Sequence, residues 1–222
     1  MAGPLLFPFV ATSIALFTLE NDALRVLIAK RTNEPERGRW ALPGGVLRPD
    51  LDDDLAASAR RVLGEKIRFD VRHLEQVRAF SGRERDESRG WSIGVLFYAL
   101  LPKDRIDAVA GRKTEAIEWV DPDRPGRDLA FDHPQMLAEA VACLRARVEH
   151  DALPLHLLPD RFTLTELQRA CEAITGEALD KSAFRRRLKV REGKDFLEVP
   201  GEFAQGAHRP AQYYRRARGF RF

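Results

Sequence analysis

Two groups of residues in this 222-residue chain combine side-chain type and spacing in ways that suit chemistry. The first lies between Gly38 and Phe69. It opens with a basic, aromatic loop, Arg37-Gly38-Arg39-Trp40, and turns through Leu42-Pro43-Gly44-Gly45. Paired glycines there admit positive φ and let the backbone approach a ligand closely. Leu55, Ala59, Val62 and Leu63 follow at i, i+4, i+7 and i+8, one apolar face of a helix over roughly Asp53 to Lys66. The second group lies far along the chain. Lys181, Arg185 and Lys189 form a basic row at helical spacing, Arg186 and Arg187 widen it, and Arg209 and Arg215 follow. Cations so arrayed suit phosphates.

The loop, glycine turn and helix of the first group resemble the Nudix box, the signature of enzymes that cleave nucleoside diphosphates linked to another moiety. With two extra residues after Gly45, the best match to the metal-binding part is Arg61-Val62-Leu63-Gly64-Glu65-Lys66-Ile67-Arg68. Carboxylates at i, i+3 and i+4 share one helix face and can gather Mg²⁺, which neutralises a diphosphate and helps generate hydroxide. Those positions read Val62, Glu65 and Lys66, one acid of three. No metal ligand and no catalytic residue is therefore assigned. Lys66 is either a solvated helix residue or a cation standing in for the metal. The nearby Asp50, Asp52, Asp53 and Asp54 are read as cap and dipole-complementing residues of the first helical turn.

Composition sets bounds on this reading. Charged residues make up 32% and hydrophobic residues 44%, the balance of a globular protein of one or two domains. No apolar run reaches the roughly 20 residues that span a bilayer, and Met1 to Phe9 does not read as a secretory signal. No membrane partner is expected. Cys143 and Cys171 fall on apolar helical stripes, which suggests buried thiols in a reducing, cytoplasmic setting. The net charge of +3 is uneven: residues 152–222 carry +5 and the rest −2. An acidic partner for the C-terminal part follows, nucleic acid first among candidates.

The elements that must position these groups alternate along the chain. Phe9 to Leu19 and Leu24 to Ala29 read as strands around an Asn21-Asp22 turn, and Leu74 to Phe80, Trp91 to Leu101 and Ala116 to Val120 as further strands. The loop Ser81 to Gly90 holds Arg83, Arg85 and Arg89; it is either a solvated hairpin tip or part of a phosphate-binding cleft. Phe131-Asp132-His133-Pro134 opens a helix whose buried stripe is Leu137, Ala140, Val141, Leu144 and Val148. After Asp151, Leu153 to Leu158 reads as an apolar connector. Thr163 and Glu166 then fit a capping box, Gly176 ends that helix, and Asp180 caps the basic one. Phe196 to Val199 and Gln212 to Tyr214 complete the parts of a winged helix-turn-helix, whose second helix enters the major groove. Arg186 and Arg187 could read guanines, and Lys181, Arg209 and Arg215 neutralise phosphates.

The fold class expected is thus α+β: a Nudix-like α/β/α sandwich over 1–151 and a winged helix-turn-helix domain over 152–222. Both halves together resemble the NrtR-type transcriptional regulators. In the C-terminal part the resemblance rests on Leu157-Leu158-Pro159, Phe162 to Gln168, Asp180-Lys181, Phe184-Arg185-Arg186 and Arg209 to Tyr214. In the N-terminal part it rests on Trp40, Leu42 to Gly45, Arg48, Arg85-Asp86, Arg89-Gly90 and Ser92, in a loop one residue longer than the family's. The resemblance implies a cytoplasmic, homodimeric repressor of NAD-metabolism genes on a palindromic double-stranded DNA operator. It implies ADP-ribose or a related NAD-derived nucleotide as effector, with no cofactor required. The expected effector-binding set is Arg39, Trp40, Gly44, Gly45, Arg48, Lys66, Arg85 and Arg89, with Trp40 stacking on a base. The expected DNA-binding set is Lys181, Arg185, Arg186, Arg187, Lys189, Arg209 and Arg215. The alternative is a Mg²⁺-dependent ADP-ribose pyrophosphatase with a DNA-binding appendage.

Overall fold

A computed structural model describes residues 7–67, 71, 73–86, 88–105, 114–148, 152–204 and 210–217, without the side chains at 66, 67, 114 and 115. Strands β1 (Phe9–Glu20) and β2 (Ala23–Arg31) form a hairpin. Its Asn21 and Asp22 both hold positive φ, 52° and 57°, the mirror-image turn that matches strand twist. Two short strands follow, β3 (Trp40–Ala41) and β4 (Gly44–Val46), then helix α1 (Leu55–Ile67). β5 (Leu74–Gly82), β6 (Ser92–Leu100) and β7 (Thr114–Val120) complete a seven-stranded mixed sheet, followed by helix α2 (His133–Val148). β1 lies at its centre and runs parallel to β6, with Phe9 opposite Ser92 and Phe17 opposite Leu100.

Both faces of this central pair are covered, which explains why its strands read as near-continuous apolar runs. Ile14, Leu16, Val95 and Phe97 pack with Ala59, Val62 and Leu63 of α1. Ala15, Phe17, Leu96 and Tyr98 face the other way, with Met136, Leu137, Ala140 and Leu144 of α2. The result is a sandwich of helix, sheet and helix.

A 3₁₀ turn, Leu153–Leu157, leads into β8 (Arg161–Thr163), helices α3 (Leu164–Thr175) and α4 (Lys181–Leu188), and the hairpin of β9 (Phe196–Ala204) and β10 (Ala211–Arg216). β10 lies between β8 and β9. Thr163 accepts from the Glu166 amide, while the Glu166 carboxylate accepts from the Thr163 amide, so the capping box forms. Gly176 ends α3 at φ 77° and Asp180 caps α4. Phe162, Phe196 and Tyr214 join the helices to the wing, with ring centroids 5.6–6.5 Å apart.

The apolar cluster on the α2 face of the large sheet does not stop at the linker. Through Leu153, Leu155, Leu157 and Leu158 it continues into Phe162, Leu167, Ile174 and Phe184. Arg145 of α2 donates to the Ile174 carbonyl at the end of α3 (2.8 Å) and pairs bidentately with Asp123 (2.6 and 3.0 Å). Arg169 of α3 pairs with Asp22 at the first hairpin (3.2 Å). No helix among the described residues is long and apolar enough to cross a membrane.

Candidate effector site and nucleic-acid interface

Three arginines gather where β1 and β6 begin and α2 starts. Arg85 donates through Nε (2.6 Å) and a terminal nitrogen (2.9 Å) to the two oxygens of Asp132, one residue before α2. Its guanidinium lies across the backbone of Gly94 in β6; a Cβ at that position would collide with it. Arg89 sits 4.0 Å from the Phe9 ring centroid and 3.5 Å from Asp86. Arg31, at the end of β2, sits 4.7 Å from the Phe131 ring centroid and donates to the Pro35 carbonyl. Burial first, and then the charge of Arg89, lower the Arg31 pKa below the ordinary guanidinium value. Cations held this close in a partly dry site favour an anion.

The backbone behind this cluster is strained. Phe131 has φ 56°, rare for a bulky side chain and costing about 1–3 kcal/mol. The strained residue sets Phe131 beneath Arg31 while Asp132 faces Arg85. Next to it, buried His133 accepts the Leu42 amide through Nδ1 (2.9 Å), fixing the glycine turn to the start of α2. Burial lowers the His133 pKa to about 4, so the ring is neutral as an acceptor must be.

The glycine turn itself is packed tightly. A Cβ on Gly44 would meet the Thr12 carbonyl at 2.9 Å, and one on Gly45 would meet Val62 Cγ2 at 2.7 Å. Val62 is therefore a packing residue, buried against the turn. Arg61 forks onto buried Asp52 (2.7 and 2.8 Å), donates to the Val46 carbonyl (3.0 Å) and reaches Glu65 (3.3 Å). The hydrogen bonds from Arg61 hold the Asp52 carboxyl well below the usual carboxylate range. Asp54 caps α1 through the Ala57 amide (2.6 Å), as the sequence suggests; Asp52 does not, being buried beneath Arg61. The three positions that match the box's metal-gathering acids thus hold a buried valine, a glutamate paired with Arg61 and a lysine, one carboxylate among them. Among the described residues no group of three or more His, Cys, Asp and Glu side chains is arranged for a metal.

The expected effector set is only partly gathered. Arg85 and Arg89 belong to the arginine cluster. Arg39 is adjacent through the Arg31 backbone but is engaged by Glu36 (2.5 Å), Asp128 (2.7 Å) and the Leu129 carbonyl (2.7 Å). Trp40 is half-buried against the core, with Arg127 5.7 Å from its ring. Arg48 is exposed and pairs with Asp50 (3.0 Å). The Lys66 side chain lies outside the described residues. Arg31, Phe9, Phe131 and Asp132 do not stand out from the sequence as site residues. The one signal for Arg31 is a cation ending an apolar strand.

The second group of residues is more coherent. In α4, Phe184 and Leu188 face the core, while Lys181, Arg185, Arg186 and Arg187 are exposed, as is Lys189 just beyond. Among the described residues, Lys181, Arg185, Arg186 and Lys189 have no carboxylate partner. Arg215 is exposed on β10; Arg209 lies outside the described residues. Gln212 steadies the wing by donating to the Val199 (2.6 Å), Glu202 (3.1 Å) and Tyr213 (3.0 Å) carbonyls.

Known proteins share this two-part arrangement. Residues 10–140 match the Nudix domain family, and residues 154–216 match the NrtR DNA-binding winged helix domain family. The chain is 39% identical over 212 residues to the ADPR responsive transcriptional repressor NtrR of Acinetobacter baylyi, covering 94% of this chain and 82% of that protein. Among solved structures it is similar to Shewanella oneidensis NrtR complexed with a 27mer DNA. That match has a TM-score of 0.85 and 29% identity, over 94% of this chain and 93% of the other. It is also similar to the Nudix domain of the same protein complexed with ADP ribose, with a TM-score of 0.58 and 30% identity, over 63% of this chain and 90% of that one. With its sensor sandwich and its winged helix both matched, the chain belongs to the NrtR family of transcriptional regulators.

Proposed function

We propose that this chain is a cytoplasmic repressor of NAD-metabolism genes that binds DNA through α4 and its wing and releases it on binding ADP-ribose or a related nucleotide. We divide it into a sensor, residues 1–151, and a reader, residues 152–222. The observation that carries this reading is an arginine cluster suited to a diphosphate, joined through one apolar core to an exposed basic helix. The Acinetobacter and Shewanella relatives support ADP-ribose as the effector and DNA as the partner.

In this reading Arg31, Arg85 and Arg89 hold the diphosphate, with Arg39, Gly44, Gly45 and Arg48 around the rim. Val62, packed on Gly45, leaves the box without its metal-gathering face, so nucleotide is sensed rather than turned over. Lys181, Arg185, Arg186, Arg187, Lys189, Arg209 and Arg215 contact the operator. Two copies related by a two-fold axis would set their α4 helices about 34 Å apart, in successive major grooves of a palindrome.

Selection of bound duplexes from genomic DNA, with and without ADP-ribose, tests the whole reading. One palindromic class, depleted when ADP-ribose is present, is expected; recovery of random duplexes sinks it. Calorimetric titration with ADP-ribose tests the site. Arg31→Ala and Arg89→Ala should each weaken binding about tenfold, the cost of a charge-assisted bond, while operator affinity without ligand stays within about twofold. Unchanged titrations remove those residues from the site. Rapid Mg²⁺-dependent turnover, abolished by Glu65→Gln, would instead favour the hydrolase alternative.

A further inference from the structure

We infer that Asp132 occupies, in the ligand-free protein, the place of the effector's anionic group, and that α2 carries its displacement to the DNA-binding domain. The inference rests on the arginine cluster being the nucleotide's site. Arg85 uses two of its nitrogens on Asp132, and both side chains are only 15% exposed. A diphosphate held between Arg31, Arg85 and Arg89 would compete with this carboxylate for Arg85. Two anions cannot share one guanidinium in a partly dry site without strong repulsion, so the ligand binds as Asp132 yields.

The backbone of Asp132 is flanked by two fixed points. It lies between Phe131, at its strained φ of 56°, and His133, whose ring is tied to the Leu42 amide. Relief of the one and retention of the other move the first turn of α2 as a unit. A 16-residue helix is a stiff rod of about 24 Å. About 20 Å along it from Asp132, Arg145 grips the Ile174 carbonyl and Asp123 together. Ile174 belongs to the last turn of α3, the helix on which α4 is packed through the shared core. Shift of α2 therefore draws on the C-terminal end of α3 and tilts α4 out of its groove. Asp132 is thus a positioning residue for the reader, and Arg145 is the joint.

The test measures a ratio: the operator dissociation constant at saturating ADP-ribose over that without it, on full-length protein with a duplex recovered by selection. Typical couplings predict about tenfold or more for the wild type. In Arg145→Ala the ratio should fall below about threefold, while ADP-ribose affinity measured by calorimetry on the DNA-free protein stays put. Arg145→Lys, which keeps the charge and stem but not the fork, should fall between and guards against a variant that does not fold. Asp132→Asn should bind ADP-ribose more tightly and operator more weakly in its absence, opposite changes that simple loss of structure does not produce. A wild-type ratio of one would fail the underlying reading. A wild-type ratio well above one, kept by both Arg145 variants, or both affinities untouched in Asp132→Asn, would overturn the route through α2 alone.

Discussion

His133 joins the glycine turn to α2 only while its ring is neutral, because an imidazolium has no nitrogen lone pair to accept the Leu42 amide. Burial is the main cause of its depressed pKa; Arg31 and Arg85 add to it and Asp132 opposes it. The ring titrates at about 4 when folded and near 6.5 when unfolded. Between those values the unfolded chain holds a proton that the folded one lacks. Stability from this residue is thus complete above about pH 6.5 and is lost as the pH falls toward 4, by at most on the order of 3 kcal/mol. Urea unfolding at pH 7.5 and pH 5 should show wild type losing more stability than His133→Asn. His156, which burial also lowers, to about 3, is present in both proteins and cancels in the difference. Equal losses in the two would place the pH dependence elsewhere. Asp52 is the opposite case: its folded pKa is depressed by Arg61, so its contribution is present above about pH 4 and lost only in stronger acid.

At the scale of elements, the reader depends on local signals. Thr163→Ala removes one half of the capping box and should cost about 1 kcal/mol, a melting shift of about 2–4 °C for a chain of this size. The exposed row on α4 should show in salt dependence instead. Lys181→Ala and Lys189→Ala should each flatten the plot of log affinity against log salt by about one unit if they meet phosphates, whereas a base contact would change sequence preference and leave the slope. A slope unmoved by both, with preference intact, takes α4 off the DNA. The same distinction explains what was legible in the sequence. The capping box, the Asn21-Asp22 hairpin, the long strands and α4 announce themselves because a few neighbouring residues suffice to form them. β3, β4 and β8 have two or three residues each and are strands only because Lys30, Thr12 and Tyr213 lie opposite them. The arginine cluster is half legible for a similar reason. Arg85 and Arg89 stand in a conspicuous loop, but Arg31 and Asp132 lie about 50 residues away on either side, and only the closed sheet and the start of α2 unite them. Asp52 reads as a cap in the sequence because nothing local announces Arg61, nine residues on, as its partner.

Over the whole molecule, the decisive feature is that sensor and reader share an interior. Domains within one chain more often meet through small, polar interfaces and move independently. Here Leu153, Leu155 and Leu157 are buried in a cluster that holds both Leu144 of α2 and Leu167 of α3. Separating the two parts would expose that surface to water, at roughly 25 cal/mol for each Å², so neither part should unfold without the other. Calorimetry should show one transition whose calorimetric and van't Hoff enthalpies agree. Leu153→Ala, at a fully buried position, should lower that transition by the equivalent of about 2–5 kcal/mol without splitting it. ADP-ribose gives a sharper test, because under the proposed function it touches the sensor alone. At a hundredfold excess over its dissociation constant it adds about 2.7 kcal/mol, which should raise the single peak by roughly 5–10 °C. A trace with two peaks, of which ADP-ribose moves only one, would mean that occupancy stabilises the sensor without reaching the reader, and α4 would have no means of registering the nucleotide.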